Sequence, residues 1–332
     1  MRIMTSDLID GIARPTTEAI AKLQIALAPY IRETPIFEQS GAEGDPSSLQ
    51  FKMECLQASG TFKARGAFSN LLALAPDARA RGVCCVSAGN HAVAVAYAAM
   101  RMGISAKVVM LATANRARVA LCEQFDAEIL LEPDGAQAFA RVHQIAQDEG
   151  RFFVHPFNGY NTVLGTATLG AEWATQSGGL DAVVLPIGGG GLAAGVSSAF
   201  KLALPDVTIY GVEPVGAASM ARSFAENGPI KMGAMHSIAD SLMAPHTEAY
   251  SYGLCRANID HLTTVDDDMI RNAMRRLFAD LKLAVEPACA VATAAALGPL
   301  ASVLAGKRVG VLLCGSNTDL PTFLANLGPP AR

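Results

Sequence analysis

Four consecutive glycines, Gly188 to Gly191, follow an apolar run at Ala182–Ile187 and precede a small-residue helical pattern over Leu192–Phe200. Such a run leaves its backbone N–H groups unobstructed at a helix N-terminus, where aligned peptide dipoles also favour a dianion. The chemistry it suits is the cradling of a phosphate. No G-K-[ST] follows, so this is not a P-loop, and both the G-x-G-x-x-G spacing and the ribose-reading acidic residue of a dinucleotide fold are missing. A tight strand-to-helix turn is the alternative use of the same residues. A second candidate is Lys63, within Ser59-Gly60-Thr61-Phe62-Lys63-Ala64-Arg65-Gly66. Ala64, Ala67, Phe68, Leu71 and Leu72 share one helical face and the pattern stops before Pro76, so the spacing predicts a helix over 64–75, launched immediately after Lys63. A cation there opposes the helix dipole. That position lowers the pKa of an ammonium group, which is what an amine nucleophile needs, although a solvent-facing lysine would sit there equally well. The third candidate, Ser87-Ala88-Gly89-Asn90-His91, joins a strand pattern to a helix over His91–Met102.

The elements that must position these residues belong to an α/β chain. From about Arg81 onward, aliphatic runs alternate with helical patterns at intervals of roughly 20 to 30 residues, as parallel strands joined by crossover helices do. The predicted strands are Val83–Ser87, Lys107–Leu111, Glu128–Leu131, Phe152–Val154, Ala182–Ile187, Val207–Val212 and Arg308–Cys314, mostly apolar on consecutive positions as if covered on both faces. No pattern recurs at a fixed period and no Ser/Gly-rich linker divides the chain. With 51% hydrophobic and 17% charged residues among 332, the chain can bury a full core and is not a disordered one. Twenty-six Lys+Arg against thirty Asp+Glu give a net charge of -4 without a basic block, so a nucleic-acid partner is not expected. Seven scattered cysteines without a C-x-x-C pair read as reduced, buried thiols. The amino terminus, with Asp7 and Asp10, lacks the apolar core of a secretory signal, and a cytoplasmic location follows. The charge-free stretch 287–306 is long enough to cross a membrane, yet it is Ala-rich and broken at Gly298-Pro299, so it reads as a buried helix with no membrane partner. His143, His155, His236, His246 and His261 show no metal-ligand spacing.

Together with Leu313-Cys314-Gly315-Ser316-Asn317, the three segments resemble the signature set of the fold-type II pyridoxal-phosphate enzymes, nearest the serine/threonine dehydratase and serine racemase group. The motifs keep the family's order from about Thr34-Pro35 to Asp319, most of the chain. The resemblance implies a tryptophan synthase β-like fold: two open parallel-sheet domains with pyridoxal 5'-phosphate between them, the larger built from 1–70 and 156–332 and the smaller from 71–155. It makes Lys63 the lysine that holds the cofactor as a Schiff base and later takes the substrate's α-proton. It sets Phe62 beside the ring, Asn90 on its phenolic oxygen, and Gly188, Gly189, Gly190, Gly191 and Leu192 around the phosphate. Ser87, Ala88, Gly89, Asn90 and His91 would grip the substrate carboxylate, with His91 ordering the loop. Cys314 falls where relatives present a Ser or Thr hydroxyl to the pyridine nitrogen, with Ser316 the alternative; a thiol is the weaker partner, which favours expulsion of a β-substituent over a long-lived carbanion.

Departures from the family pattern sharpen the expected activity. Racemases carry a second Ser where this chain has Ala88, and a methyl group cannot move a proton, so elimination should dominate. A divalent cation, where relatives bind one, would fall to Glu213, Ala217 and Ser219; a hydroxyl in place of a carboxylate removes a hard charged ligand, so metal binding is expected to be weak or absent. Gly165-Thr166-Ala167-Thr168 stands where relatives often read G-Q-G-T, and Ser241 where they carry Gly. The chain ends at Arg332 without the regulatory domain of biosynthetic threonine dehydratases. The expected reaction is dehydration and deamination of a β-hydroxy amino acid to a 2-oxo acid and ammonia by a homodimer, with L-threonine or L-serine as default substrate. The alternatives are 3-phenylserine, 3-hydroxyaspartate or a hydroxyectoine-derived amino acid, then serine racemisation, and, outside enzymes, a small-molecule binding protein with Lys63 idle.

Overall fold

The computed structural model describes residues 8–39 and 48–328. Asp7 and Arg332, used above, lie outside the described residues. Two sheets dominate. The first contains β1 (Ile36–Gln39), β2 (Ser48–Lys52), β7 (Ala182–Pro186), β8 (Thr208–Pro214), β9 (His261–Val265) and β10 (Arg308–Leu312). Its spatial order is β9-β8-β7-β10-β2-β1, parallel throughout except for the antiparallel β1. The second sheet is all parallel, in the order β5-β4-β3-β6, from β3 (Val83–Val86), β4 (Ala106–Leu111), β5 (Glu128–Glu132) and β6 (Phe152–Phe153). Every residue of β3 and β7 is buried, which is why both read as unbroken apolar runs rather than alternating ones.

The expected strands are present with ends shifted by one or two residues. Three strands of these two sheets were not foreseen: β1 and β2 carry Glu38, Gln50 and Lys52, and β9 is an edge strand with little burial. Nor was the short antiparallel pair Leu8–Ile9 and Ile12–Ala13. The helix expected over 64–75 is α1, Lys63–Leu72, and a separate short helix begins at Pro76 because Ala75, ahead of proline, is extended. The helix expected from His91 is α2, Asn90–Met102, and the one expected over Leu192–Phe200 is α5, Gly191–Ala203. The charge-free stretch 287–306 is not one helix. It divides into α6, Pro287–Leu297, and a single turn at Ala301–Leu304, with Gly298 far from helical geometry. Among the described residues no helix is long and apolar enough to cross a membrane. All seven cysteines are free and buried.

One helix, α4 (Tyr160–Gln176), sets the two others that matter most. A Cβ at Gly165 would lie 2.5 Å from the carbonyl oxygen of Arg65, so α1 packs backbone to backbone against α4. A Cβ at Gly195 would lie 2.4 Å from the oxygen of Val163, so α5 approaches the same helix as closely. Bare glycines therefore bring the helix that starts at Lys63 and the helix that follows the glycine run onto a common spine. An ion network locks the first of them. Arg65 Nε and Nη2 donate to Glu54 at 2.8 and 3.1 Å, and Nη2 also reaches Glu172 Oε2 at 2.8 Å. Lys52 Nζ completes the network at Glu172 Oε1, 2.5 Å away. Lys52, Glu54 and Arg65 are fully buried, a placement that charges tolerate only when paired and hydrogen-bonded.

Candidate active site

The C-terminal ends of the parallel strands open into a cavity of about 430 Å³. Its walls include Phe62, Lys63, the whole segment Ser87 to His91, Gly188 to Leu192, and Cys314. Every residue expected to touch cofactor or substrate thus lines one space, although the segments lie as much as 250 residues apart in the chain. The expected metal candidates do not join them. Glu213 is buried and turned away, its two oxygens accepting from the N–H groups of Met220 and Ala221 at 2.7 Å each, and Ala217 and Ser219 are absent from the cavity wall. Among the described residues no cluster of three or more His, Cys, Asp or Glu could hold a metal ion.

Lys63 opens α1 and donates to the carbonyl oxygen of Pro156. Burial lowers its pKa to about 8, and the Cys314 thiol acts weakly in the opposite direction. About a tenth of such a group is neutral at pH 7, against well under a thousandth for an ordinary lysine. Backbone links tie the lysine to the far end of the chain: Phe62 N donates to Cys314 O at 3.1 Å and Ser316 N to Gly60 O at 2.9 Å. Cys314 Sγ points its proton toward Ala288 O at 3.9 Å, whereas Ser316 Oγ donates to Cys55 O at 2.9 Å and is not part of the cavity wall.

The glycine run supplies an anion cradle by its shape. Gly190 has φ +97° and caps α5 with a left-handed turn, a geometry that disfavours any residue with a side chain. A Cβ at Gly191 would stand 2.4 Å from the carbonyl oxygen of Phe157, and one at Gly189 would enter the Phe157 ring. Phe157 therefore packs directly on the run and also forms part of the cavity wall beside it. From below, Thr166 Oγ1 donates to Gly191 O at 2.8 Å, so the unusual Thr166 braces the run rather than lining the cavity. Ser241, the other departure, does line it.

Ser87 to His91 forms the turn from β3 into α2. Ser87 Oγ accepts from Gly89 N at 3.1 Å, curling the segment just ahead of α2. His91 is buried with Nε2 2.8 Å from Val154 O, and burial together with the neighbouring Lys63 lowers its pKa to about 3. It is therefore neutral at ordinary pH, with the protonated Nε2 holding the loop to the residue just past β6. Among the wall residues missed by the sequence reading are Phe157, Arg118 and Glu286. Arg118 Nη2 meets Glu286 Oε2 at 3.3 Å and its Nη1 meets Asp240 Oδ2 at 2.8 Å. No local pattern announces a pair separated by 168 residues.

In chemical terms, a lysine amine poised to lose its proton faces one anion cradle at the glycine run and a second at the start of α2. Comparison with known proteins agrees with that arrangement. The family described as Pyridoxal-phosphate dependent enzyme matches residues 27–315. The chain is 64% identical over 321 residues to the phenylserine dehydratase of Ralstonia pickettii, across 96% of this chain and 98% of that protein. It is 34% identical to the beta-hydroxyaspartate dehydratase of Paracoccus denitrificans, across 92% and 97% respectively. Among solved structures, maize serine racemase matches with a TM-score of 0.89 and 32% identity, over 93% of this chain and 96% of that one.

Proposed function

The chain belongs to the family of pyridoxal-phosphate dependent enzymes, and on that premise we propose that it converts 3-phenylserine to phenylpyruvate and ammonia. The coarser statement, a pyridoxal-phosphate-dependent ammonia-lyase, follows from the family and from the relatives named above. The aryl substrate rests on one observation, the 64% identity along essentially the full length of both chains. It displaces threonine and serine, the default of the sequence reading. Further support comes from the cavity wall formed by Leu242, Met243, Ala244, Pro245 and Phe157, whose side chains offer an apolar surface and no hydrogen-bond donor. One methylene in such a wall changes selectivity by about 1–3 kcal/mol, so an entire ring has ample free energy to discriminate against a methyl group.

The site fits the cofactor. The glycine run lines the cavity at the helix N-terminus that a phosphate needs, and the lysine opposite has the lowered pKa that covalent capture of an aldehyde needs. When bound, pyridoxal phosphate supplies that aldehyde and a ring that draws electron density from the substrate's Cα. In this reading Gly188 to Gly191 and Leu192 hold the phosphate through backbone N–H groups, Phe62 packs beside the ring, Asn90 donates to the phenolic oxygen and Cys314 meets the pyridine nitrogen. Ser87 to Asn90 orient the substrate carboxylate, His91 keeps their loop in place, and the Lys63 amine takes the α-proton. Ala88 has no proton to give the opposite face, which favours elimination over racemisation. The larger domain would be 1–70 with 156–332, and the smaller 71–155, which contains all four strands β3 to β6. Seven free buried thiols support a reducing, cytoplasmic location, and the resemblance to dehydratases supports a homodimer.

Two expectations test the cradle and the lysine. Capture of added pyridoxal phosphate by the apoenzyme, followed by its visible absorption, should accelerate as pH rises from 6 to about 8 and then level off, because only the neutral amine reacts. A rate that keeps climbing to pH 10 would mean Lys63 titrates as an ordinary lysine. Gly191→Ala should weaken cofactor binding at least about tenfold, since its Cβ meets rigid backbone and the run must move; unchanged affinity would remove the run from the phosphate site. The substrate is tested by 2-oxo acid formation across 3-phenylserine, threonine, serine and 3-hydroxyaspartate. A kcat/KM for 3-phenylserine at least about tenfold above the others is expected, and a preference for threonine or serine would overturn the aryl assignment.

A further inference from the structure

The cavity wall holds one buried carboxylate to which the chemistry above gives no part. Glu286 stands immediately before α6 and is 1% exposed. Its Oε1 accepts from Asn90 Nδ2 at 2.6 Å and its Oε2 from Arg118 Nη2 at 3.3 Å. On its other side, Asn90 Oδ1 accepts from Asn317 Nδ2 at 2.9 Å, and the same Asn317 nitrogen donates to Ser59 O at 2.9 Å. This chain of contacts has a fixed direction. A backbone carbonyl can only accept, so Ser59 determines which end of the Asn317 amide faces it. With both Asn317 hydrogens directed to acceptors, the Asn90 atom it meets must be the oxygen, and the Asn90 nitrogen must lie on the Glu286 side. Burial raises the pKa of the Glu286 carboxyl to about 7 against the pull of Arg118 and the Asn90 amide; in its ionised form it only accepts, and both ends of the chain then impose the same orientation on Asn90. One hydrogen of Asn90 Nδ2 goes to Glu286, and the other has no protein acceptor among the described residues, while Asn90 lines the cavity.

We infer that Glu286, itself held by Arg118, is a positioning residue that presents the Asn90 amide nitrogen rather than its oxygen to the phenolic oxygen of the cofactor. The inference rests on the proposed reading of Asn90 as the donor to that oxygen. Without the carboxylate, Asn90 keeps only the contact from Asn317 to its oxygen, and its nitrogen, left without an acceptor on that side, is less firmly aimed at the ring oxygen. Arg118 comes from α3 (Arg116–Gln124), which follows a strand of the four-stranded sheet, whereas Glu286 lies between the helix Asp267–Leu281 and α6, and Asn317 follows a strand of the six-stranded sheet. The donor at the ring would therefore depend on how α3 seats across the cleft.

A double-mutant cycle separates this role from a merely structural one. The dissociation constant of pyridoxal phosphate for the apoenzyme and the visible absorption maximum of the loaded enzyme are measured for wild type, Glu286→Ala, Asn90→Ala and the double variant. Each single substitution should weaken binding by about tenfold, the loss of one charge-assisted hydrogen bond, and shift the absorption maximum. The double variant should bind no more weakly than Asn90→Ala alone, because Glu286 acts through Asn90. Multiplicative losses near a hundredfold would place the effect of Glu286 elsewhere and overturn the inference. An Asn90→Ala variant that leaves both readings unchanged would overturn the assignment of Asn90 itself, a distinguishable failure. Should Glu286→Ala not fold, Glu286→Gln carries the same comparison. It keeps the volume but sets an amide against Arg118, and its loss must likewise vanish in the Asn90→Ala background.

Discussion

Replacing Lys63 by alanine should reduce turnover of 3-phenylserine by more than about a thousandfold while leaving the fold intact. The substitution removes two functions at once: the amine that captures the cofactor and the base that takes the α-proton, the latter alone being worth about 10²–10⁴. The fold should survive because the ammonium gives the protein one hydrogen bond, to Pro156 O, and a place over the Phe62 ring, and loss of a buried ammonium relieves a desolvation cost. The test is 2-oxo acid formation, with far-ultraviolet circular dichroism as the control for folding. Turnover within tenfold of wild type would remove Lys63 from the chemistry and revive the alternative of a binding protein with an idle lysine.

The second large effect is on stability. Arg65→Ala should destabilise the fold by about 3–5 kcal/mol, because it leaves the carboxylates of Glu54 and Glu172 buried without their shared guanidinium. The direction of its pH dependence follows from Glu172. Burial pushes that carboxyl up, but Arg65 and Lys52 together outweigh burial and hold it below its ordinary value of 4.5. A depressed carboxyl contributes stability above its unfolded pKa and loses it as pH falls through the folded one. The deficit of the variant should therefore be full at neutral pH and narrow as pH falls below about 4.5. Urea midpoints at pH 7 and pH 4 measure both features. A loss under 1 kcal/mol at pH 7, or a deficit that grows toward acid, would contradict the network as described. Arg65 lies two residues beyond Lys63, so a milder variant that still folds should also show weaker cofactor capture.

What the sequence disclosed is what is local in it. The glycine run, Lys63 at a helix start and Ser87 to His91 are each short segments at the end of a strand or the start of a helix, where backbone geometry and chemistry are written in adjacent residues. Strands such as Val83–Val86 and Ala182–Pro186 were legible because burial on both faces demands unbroken apolar runs. Ser48–Lys52 was missed for the converse reason. Its Lys52 is fully buried and reads as a solvent residue until Thr34 O, Glu172 and Gln176 are seen around its ammonium group. Arg118 and Glu286 were missed because their meaning depends on each other and on Asn90, residues that only the closed fold brings together. Phe157 reads as an ordinary core aromatic, and its pressure on the glycine run is visible only in three dimensions. The substrate was the least legible feature, since the apolar wall comes from an irregular segment whose residues carry no motif.

The central claim is that the cofactor is covalently attached at one position. Borohydride treatment of the loaded enzyme, followed by proteolysis and mass mapping, should find the reduced adduct on the peptide that contains Lys63 and on no other. An adduct mapped to a different lysine, or no adduct in an enzyme that still binds the cofactor, would contradict it.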